Sequence, residues 1–313
     1  MKNLQVRIKK PPNGTCSPDD FELFEGESPA PGKGEMLCRS RWLSLDPLNG
    51  AHAAGARSTG NVLPAQAICE VVDSRNEVFN AGDVVVMEAG LQSYCVSGGL
   101  SVHRVRTGGA PLSAALGIMG DPGFTAYCGL LELARIRQGE TVLVSGAGSP
   151  VGATAGQIAR IKGCKVIGIA ANHEQSQWCT KDAHFNACID ASSELLELRL
   201  RQLAPKGIDV FFDATGGAIF ARVIGGEHLS PAGRVVRSVR NGATQTRTGG
   251  QELHVDIRAH EYRRETFLKD AIAWHAEGHL RYREDIVEGL HNAPSHYCRV
   301  MRGESFGRAL VKN

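Results

Sequence analysis

The chain has 313 residues, 42% hydrophobic and 22% charged, with 35 Lys and Arg against 33 Asp and Glu. That length suits one large or two ordinary domains of about 100–200 residues, and the apolar share excludes a disordered chain or a small stapled scaffold. A formal charge of +2 gives no bulk attraction to polyanions, and no run reaches the ~18 apolar residues of a membrane span, so neither nucleic acid nor membrane is an expected partner.

The N-terminal MKNLQVRIKKPPNG has charges with no apolar segment behind them, so no signal peptide is expected. Residues 1–115 alternate turns with short apolar runs, such as Glu35–Arg39 and Asp83–Met87, bounded by Pro-Gly-Lys-Gly and Ala-Gly-Asp. These predict an all-β region. From residue 119 to 275 the pattern changes to buried β runs separated by helical stretches: strands at 141–145, 165–170, 208–213 and 234–239, helices at 123–134 and 150–162. Such alternation predicts a parallel sheet with crossover helices. A last strand is expected at 308–312.

Nine cysteines are scattered singly with no C-x-x-C pair. An odd count in that pattern predicts reduced thiols and a cytoplasmic location. No His, Cys and acid cluster has zinc spacing, so no metal is expected. Histidines such as His275 and His296 lie in polar stretches that read as surface.

Glycine is the unusual count, at 37. Its sharpest concentration is the run from Val142 to Gly152, where a buried strand enters Ser145-Gly-Ala-Gly-Ser-Pro-Val-Gly152 and then a helix with Val151, Ala155, Ile158 and Ala159 on one stripe. Gly146 and Gly148 permit a tight turn and close backbone approach, and Gly152 allows helix to pack on strand. Pro150 suits a first helical turn. With Ser149 and Val151 these residues are the candidates to cradle a dinucleotide pyrophosphate at a helix N-terminus. The following strand ends in Ala170-Ala-Asn-His-Glu-Gln175, with neither an acid for a free ribose nor an immediate cation for a 2′-phosphate.

Leu116-Gly-Ile-Met-Gly-Asp-Pro-Gly-Phe-Thr-Ala-Tyr127, the glycine turn, Phe212-Asp-Ala-Thr-Gly-Gly217, Leu43-Ser-Leu-Asp-Pro47, the stretch 280–290 and Arg302-Gly-Glu-Ser-Phe-Gly-Arg308 together resemble the medium-chain dehydrogenase/reductase superfamily. Within it, the chain is similar to the zinc-free branch of leukotriene dehydrogenases, prostaglandin reductases, alkenal/one reductases and curcumin reductases. The resemblance implies an α/β fold: a Rossmann parallel sheet over 119–275 and a chaperonin-10-like β-barrel domain from 1–118 and 276–313, with the active site between. It also implies a homodimer that uses NADPH to reduce a C=C bond conjugated to a carbonyl in a small molecule. Placing the nicotinamide and stabilising the developing oxyanion would be the protein's part.

Departures from the branch fall at functional positions. Ser149 stands where the family has its middle glycine, and a side chain there is expected to crowd the pyrophosphate. The family's 2′-phosphate Ser and Lys correspond to Asn172 and Gln175, its cofactor Asn to Ser305, and its helping Tyr to Ala191. Arg240 and Arg237 are the available replacement cations. Both carbonyl-binding tyrosines are missing, which leaves Asn49 and His52 as polar candidates. Asp121 replaces an apolar Met in the turn that faces nicotinamide and substrate. It reads either as a helix-capping acid or as a general acid/base. Asp46 and Asp213 read as turn-holding acids. The main expectation is therefore an NADPH-dependent enone or enal reductase. The alternatives are a non-redox cyclase, isomerase or lyase using Asp121, with cofactor binding weakened, and a catalytically idle binding protein.

Overall fold

The computed structural model describes residues 1–10, 16–46, 58–226, 228–238 and 251–313. The chain divides into two units, Met1–Leu116 with Glu284–Asn313, and Gly117–Arg283. The second boundary thus falls eight residues beyond 275/276: Arg281 donates its N–H to Gln157 Oε1 at 2.7 Å, and Arg283 pairs with Glu174, which ties the segment after residue 276 to the second unit.

In the first unit β1 (Lys2–Ile8) and β2 (Phe21–Glu27) form an antiparallel pair. Next come β3 (Met36–Ser44), β4 (Gln66–Ser74), β5 (Val84–Glu88), β6 (Tyr94–Ser97) and β7 (His103–Arg104). Met36–Leu43 of β3 pairs with β4, while Met36–Arg39 also pairs with β6. Alternation is clear in β3 and β4, whose inward residues Met36, Cys38, Leu43, Ala67, Cys69 and Val71 join one apolar core.

The second unit opens with α1 (Asp121–Tyr127), which runs into a π-helical segment, Cys128–Leu133. The helix expected over 123–134 is therefore two pieces. It continues through β8 (Thr141–Ser145), α2 (Pro150–Ile161), β9 (Lys165–Ala170), α3 (His173–Lys181), β10 (Ala187–Asp190), α4 (Leu196–Leu203), β11 (Ile208–Asp213), α5 (Gly217–Gly225), β12 (Leu229–Arg237), β13 (Gln251–His254) and α6 (Arg264–Ala276). Six strands lie parallel in the order β10-β9-β8-β11-β12-β13. The order reverses beside β8, which makes the carboxyl ends of β8 and β11 the switch point where doubly wound sheets take ligands. Val142, Leu143, Val144, Val166, Ile167, Val210, Phe211 and Phe212 are all fully buried. Such continuous apolar runs are what a sheet covered on both faces requires.

The chain then returns to the first unit through β14 (Glu284–Glu288), α7 (Ala293–Met301) and β15 (Arg308–Lys312). β15 lies between β14 and the Trp42–Ser44 end of β3, completing a mixed sheet of seven strands. This is the chaperonin-10-like β domain built from both chain ends.

Two expectations are corrected in this unit. Cys16 and Cys298 form a disulfide, their Cα atoms 5.2 Å apart across 282 residues of sequence, so the cysteines are not all reduced. Folding brings the segment before β2 against α7, a proximity that spacing could not disclose. The other seven are thiols, all buried. His296 is not a surface residue: it is 1% exposed, and its Nε2 lies 2.9 Å from the carbonyl oxygen of Asp285.

Candidate active site

The carboxyl ends of β8, β11 and β12 are tied by a buried polar network. Ser145 Oγ donates to Asp213 Oδ1 at 2.7 Å, and accepts from the Ala214 N–H and the Thr215 hydroxyl, each at 3.0 Å. Asp213 Oδ1 also accepts the Gly216 N–H at 2.9 Å, and Arg237 Nε lies 3.5 Å from Asp213 Oδ2. Arg237 donates onward to Glu252 at 3.1 Å and stacks its guanidinium 4.1 Å from the Phe220 ring centre. Asp213 thus holds a turn, as expected. Arg237 is corrected as a replacement cation for phosphate: β12 ends at residue 237 rather than 239, and this 3% exposed side chain is committed to Asp213 and Glu252. Removing one partner of such a buried pair strands the other charge and typically costs about 3–5 kcal/mol.

Above this network stands the glycine turn. Gly146 has φ +59°, in the left-handed region, and a Cβ there would press on Thr215 at 2.8 Å. A Cβ on Gly152 would run into the Gly146 carbonyl, so α2 approaches β8 only because that side chain is missing. Ser149 is the N-cap of α2: its backbone is extended, and its hydroxyl accepts the Gly152 N–H at 3.1 Å. The side chain expected to crowd the turn is instead turned onto the helix end. Pro150 follows at the first helical position, where its missing N–H costs nothing. Among the described residues the N–H groups of Gly148, which is buried, and of Val151 have no hydrogen-bond partner. Two unpartnered donors at a helix N-terminus, backed by the dipole, are suited to an anion. A diphosphate fits this cradle. Under the turn the Cys179 thiol donates to the Ala147 carbonyl at 3.4 Å. Its bond to the Cys188 thiol and its burial push Cys179 well up, so it stays a neutral thiol there.

At the end of β9, Asn172 caps α3, its side-chain oxygen accepting the Gln175 N–H at 3.0 Å. Gln175 does not reach outward. It is 7% exposed, its Oε1 accepts the Ala171 N–H at 3.2 Å, and its side chain lies where a Cβ on Gly148 would be. Both residues lie just past the end of β9, where the sequence placed them; Asn172 caps α3 and Gln175 packs against the glycine turn.

Asp121 is the first residue of α1 and accepts from Arg264 Nη1 at 2.9 Å. Arg264 in turn binds Glu261 at 2.6 Å and covers the Phe124 ring at 4.4 Å. An acid in a first helical turn lies at the positive end of the helix dipole, here also paired with a guanidinium, although among the described residues no side-chain hydrogen bond caps α1. Tyr127, the last residue of α1, is 2% exposed and donates to Asp270 at 3.0 Å. Burial, then the neighbouring Asp270, push its phenol up to about 12, so it joins α1 to α6 as a neutral donor.

In the first unit Ser305 is half-buried, and its buried hydroxyl oxygen has no partner among the described residues. Asp46 binds Arg308 through both oxygens and accepts from Ser44 at 2.8 Å, which ties the segment after β3 to the start of β15; the turn it was expected to hold lies outside the described residues. Asn49, His52 and Arg240 lie outside the described residues. Among the described residues no group of three or more His, Cys, Asp or Glu could hold a metal ion, and no helix is long and apolar enough to cross a membrane. Sequence reasoning missed the Ser145 hydroxyl; a serine ending a buried apolar run, directly before the glycine turn, was the signal.

The chain matches the family described as the N-terminal domain of oxidoreductase over residues 4–105. It matches that described as zinc-binding dehydrogenase over 150–244. It is 32% identical to the NADPH-dependent curcumin reductase of Escherichia coli (strain K12) over 336 residues, covering 99% of this chain and 97% of that protein. Prostaglandin reductase 1 of Bos taurus is 33% identical over 323 residues, covering 97% of each. Among solved structures, CurA from Vibrio vulnificus in complex with NADPH superposes with a TM-score of 0.88 at 31% identity, covering 99% of both chains.

Proposed function

Because the chain belongs to the zinc-free reductase branch of the medium-chain dehydrogenase/reductase superfamily, we propose that it is an NADPH-dependent oxidoreductase that reduces the activated C=C bond of a small enone or enal. The observation that carries this reading is the glycine turn, where the Gly148 and Val151 N–H groups stand without partners at the switch point of the sheet. Bound there, NADPH would supply the hydride. The chain's own residues hold and aim it: the turn and the α2 N-terminus take the diphosphate, and the Ser145–Asp213–Arg237 network keeps the strand ends beneath it in register. Ser305 is assigned to the cofactor on sequence grounds, as the counterpart of the branch's cofactor Asn. Asn49 and His52 are assigned to the substrate carbonyl on sequence grounds, replacing the branch's phenols.

A small-molecule substrate, a homodimer and a cytoplasmic location complete the reading. The family resemblance supports the substrate and the dimer; the seven buried thiols support the cytoplasm, and the Cys16–Cys298 disulfide speaks against it. Sedimentation equilibrium checks the dimer.

The test is a thermal melt with NADPH. A ligand at a hundred times its Kd adds about 2.7 kcal/mol of stability, a shift easily read, and oxidation of NADPH should then follow addition of an enone. No stabilisation by either NADPH or NADH at millimolar concentration would defeat the reductase reading.

A further inference from the structure

NADPH and NADH differ only in a 2′-phosphate, which in a Rossmann unit lies at the end of the second strand. Here that strand is β9, and the groups around its end are Ala171, Asn172, His173 and Gln175. We infer that this site binds NADPH and NADH with comparable affinity, because residue 175 is committed to bracing the glycine turn and, among the described residues, no other side chain at the strand end offers a surplus cation. This inference rests on the reductase reading and names which dinucleotides that site takes.

Gln175 is tucked against Gly148 and holds the Ala171 N–H, so it cannot reach a phosphate without releasing the turn. The Asn172 carbonyl oxygen is occupied by the Gln175 N–H. Its exposed amide nitrogen is a neutral donor, which treats a ribose hydroxyl and a phosphate oxygen much alike. His173 is turned to Gln177, its Nε2 lying 2.6 Å from the amide nitrogen. The ionic groups described nearby leave no surplus positive charge. Arg283 is paired with Glu174 at 3.1 Å. Asp190, ending the next strand, accepts from the Ser192 hydroxyl at 2.6 Å and N–H at 2.9 Å. Those bonds hold its carboxyl below the usual range, so an anion stands beside the strand end. β9 itself runs out in Ala170-Ala171, with no carboxylate of its own to engage a ribose hydroxyl. Among the described residues, charge-assisted hydrogen bonds, the usual source of NADPH preference, are therefore not provided.

The experiment is calorimetric titration of the full chain with NADPH and with NADH, repeated on Ala171→Arg and Gln175→Ala. The wild type should bind both with Kd values within about tenfold of each other. Ala171 is exposed, so the arginine folds in without displacing core, and it should strengthen NADPH by about tenfold or more while leaving NADH unchanged. Gln175→Ala should weaken both nucleotides together and preserve their ratio. A wild-type preference for NADPH above about a hundredfold would overturn the inference, and its disappearance in Arg283→Gln would name the cation responsible. An unchanged ratio in Ala171→Arg, or a loss confined to NADPH in Gln175→Ala, would overturn it as well. Binding of neither nucleotide to the wild type would overturn the reductase reading and this inference with it, whereas tight binding of NADPH alone would overturn only this inference.

Discussion

The turns after β8 and β9 leave adjacent parallel strands at the same edge of one sheet, yet they are built on opposite terms. The first is made of backbone: a left-handed glycine, a glycine packed under a carbonyl, and donors left without partners. The second is made of side chains whose polar atoms answer one another, Asn172 to the Gln175 N–H and Gln175 to the Ala171 N–H. Backbone donors serve any diphosphate, whereas recognition of a 2′-phosphate needs side chains left available for it. One region is open to a ligand and its neighbour is internally satisfied.

The most damaging way to break this contrast is Gly152→Val. Its side chain would meet the Gly146 carbonyl, which neither the helix nor the strand can yield. Overpacking of that kind should cost about 3 kcal/mol and abolish nucleotide binding. A chemical denaturation curve and a titration check both; a variant that binds normally would mean that α2 does not need this close approach. A smaller effect sharpens the role of Ser149. Ser149→Ala should cost about 1 kcal/mol, while Ser149→Gly should cost only a few tenths. Equal losses in the two variants would show that the hydroxyl is not capping. Asp121 lies outside both turns and sets the bottom of the scale. Asp121→Asn removes an ion pair and a favourable dipole contact, at about 0.5 kcal/mol, with turnover kept within a few-fold. Abolished turnover in a folded Asp121→Asn would give that carboxylate a catalytic role after all.

Elements buried on both faces were legible from the sequence. β8, β9 and β11 coincide with apolar runs because nothing polar interrupts them. β12 was misjudged because it begins within Leu-Ser-Pro-Ala-Gly, a breaker pattern that reads as loop, and its first pairing carries a register shift. β13 is a short, half-exposed edge strand with no periodicity to find. The cap at Ser149 could be anticipated from Ser-Pro before a helical stripe, but the family comparison directed attention to a missing glycine instead. The inward fold of Gln175 is a tertiary event: it depends on Gly148 lying opposite, and no local pattern encodes that. The disulfide is hidden for the same reason.

That disulfide has a consequence for the order in which the molecule is made. The first unit takes its closing strand, β15, and its helix α7 from the last thirty residues, Glu284–Asn313. A ribosome therefore releases the entire second unit before the first can complete its sheet, and β3 waits with an edge uncovered until then. Once Cys16 and Cys298 are joined, the polypeptide is a ring closed near both ends. A protease that cuts anywhere inside the ring leaves a single covalent molecule, whose fragments separate on a gel only after a reductant is added.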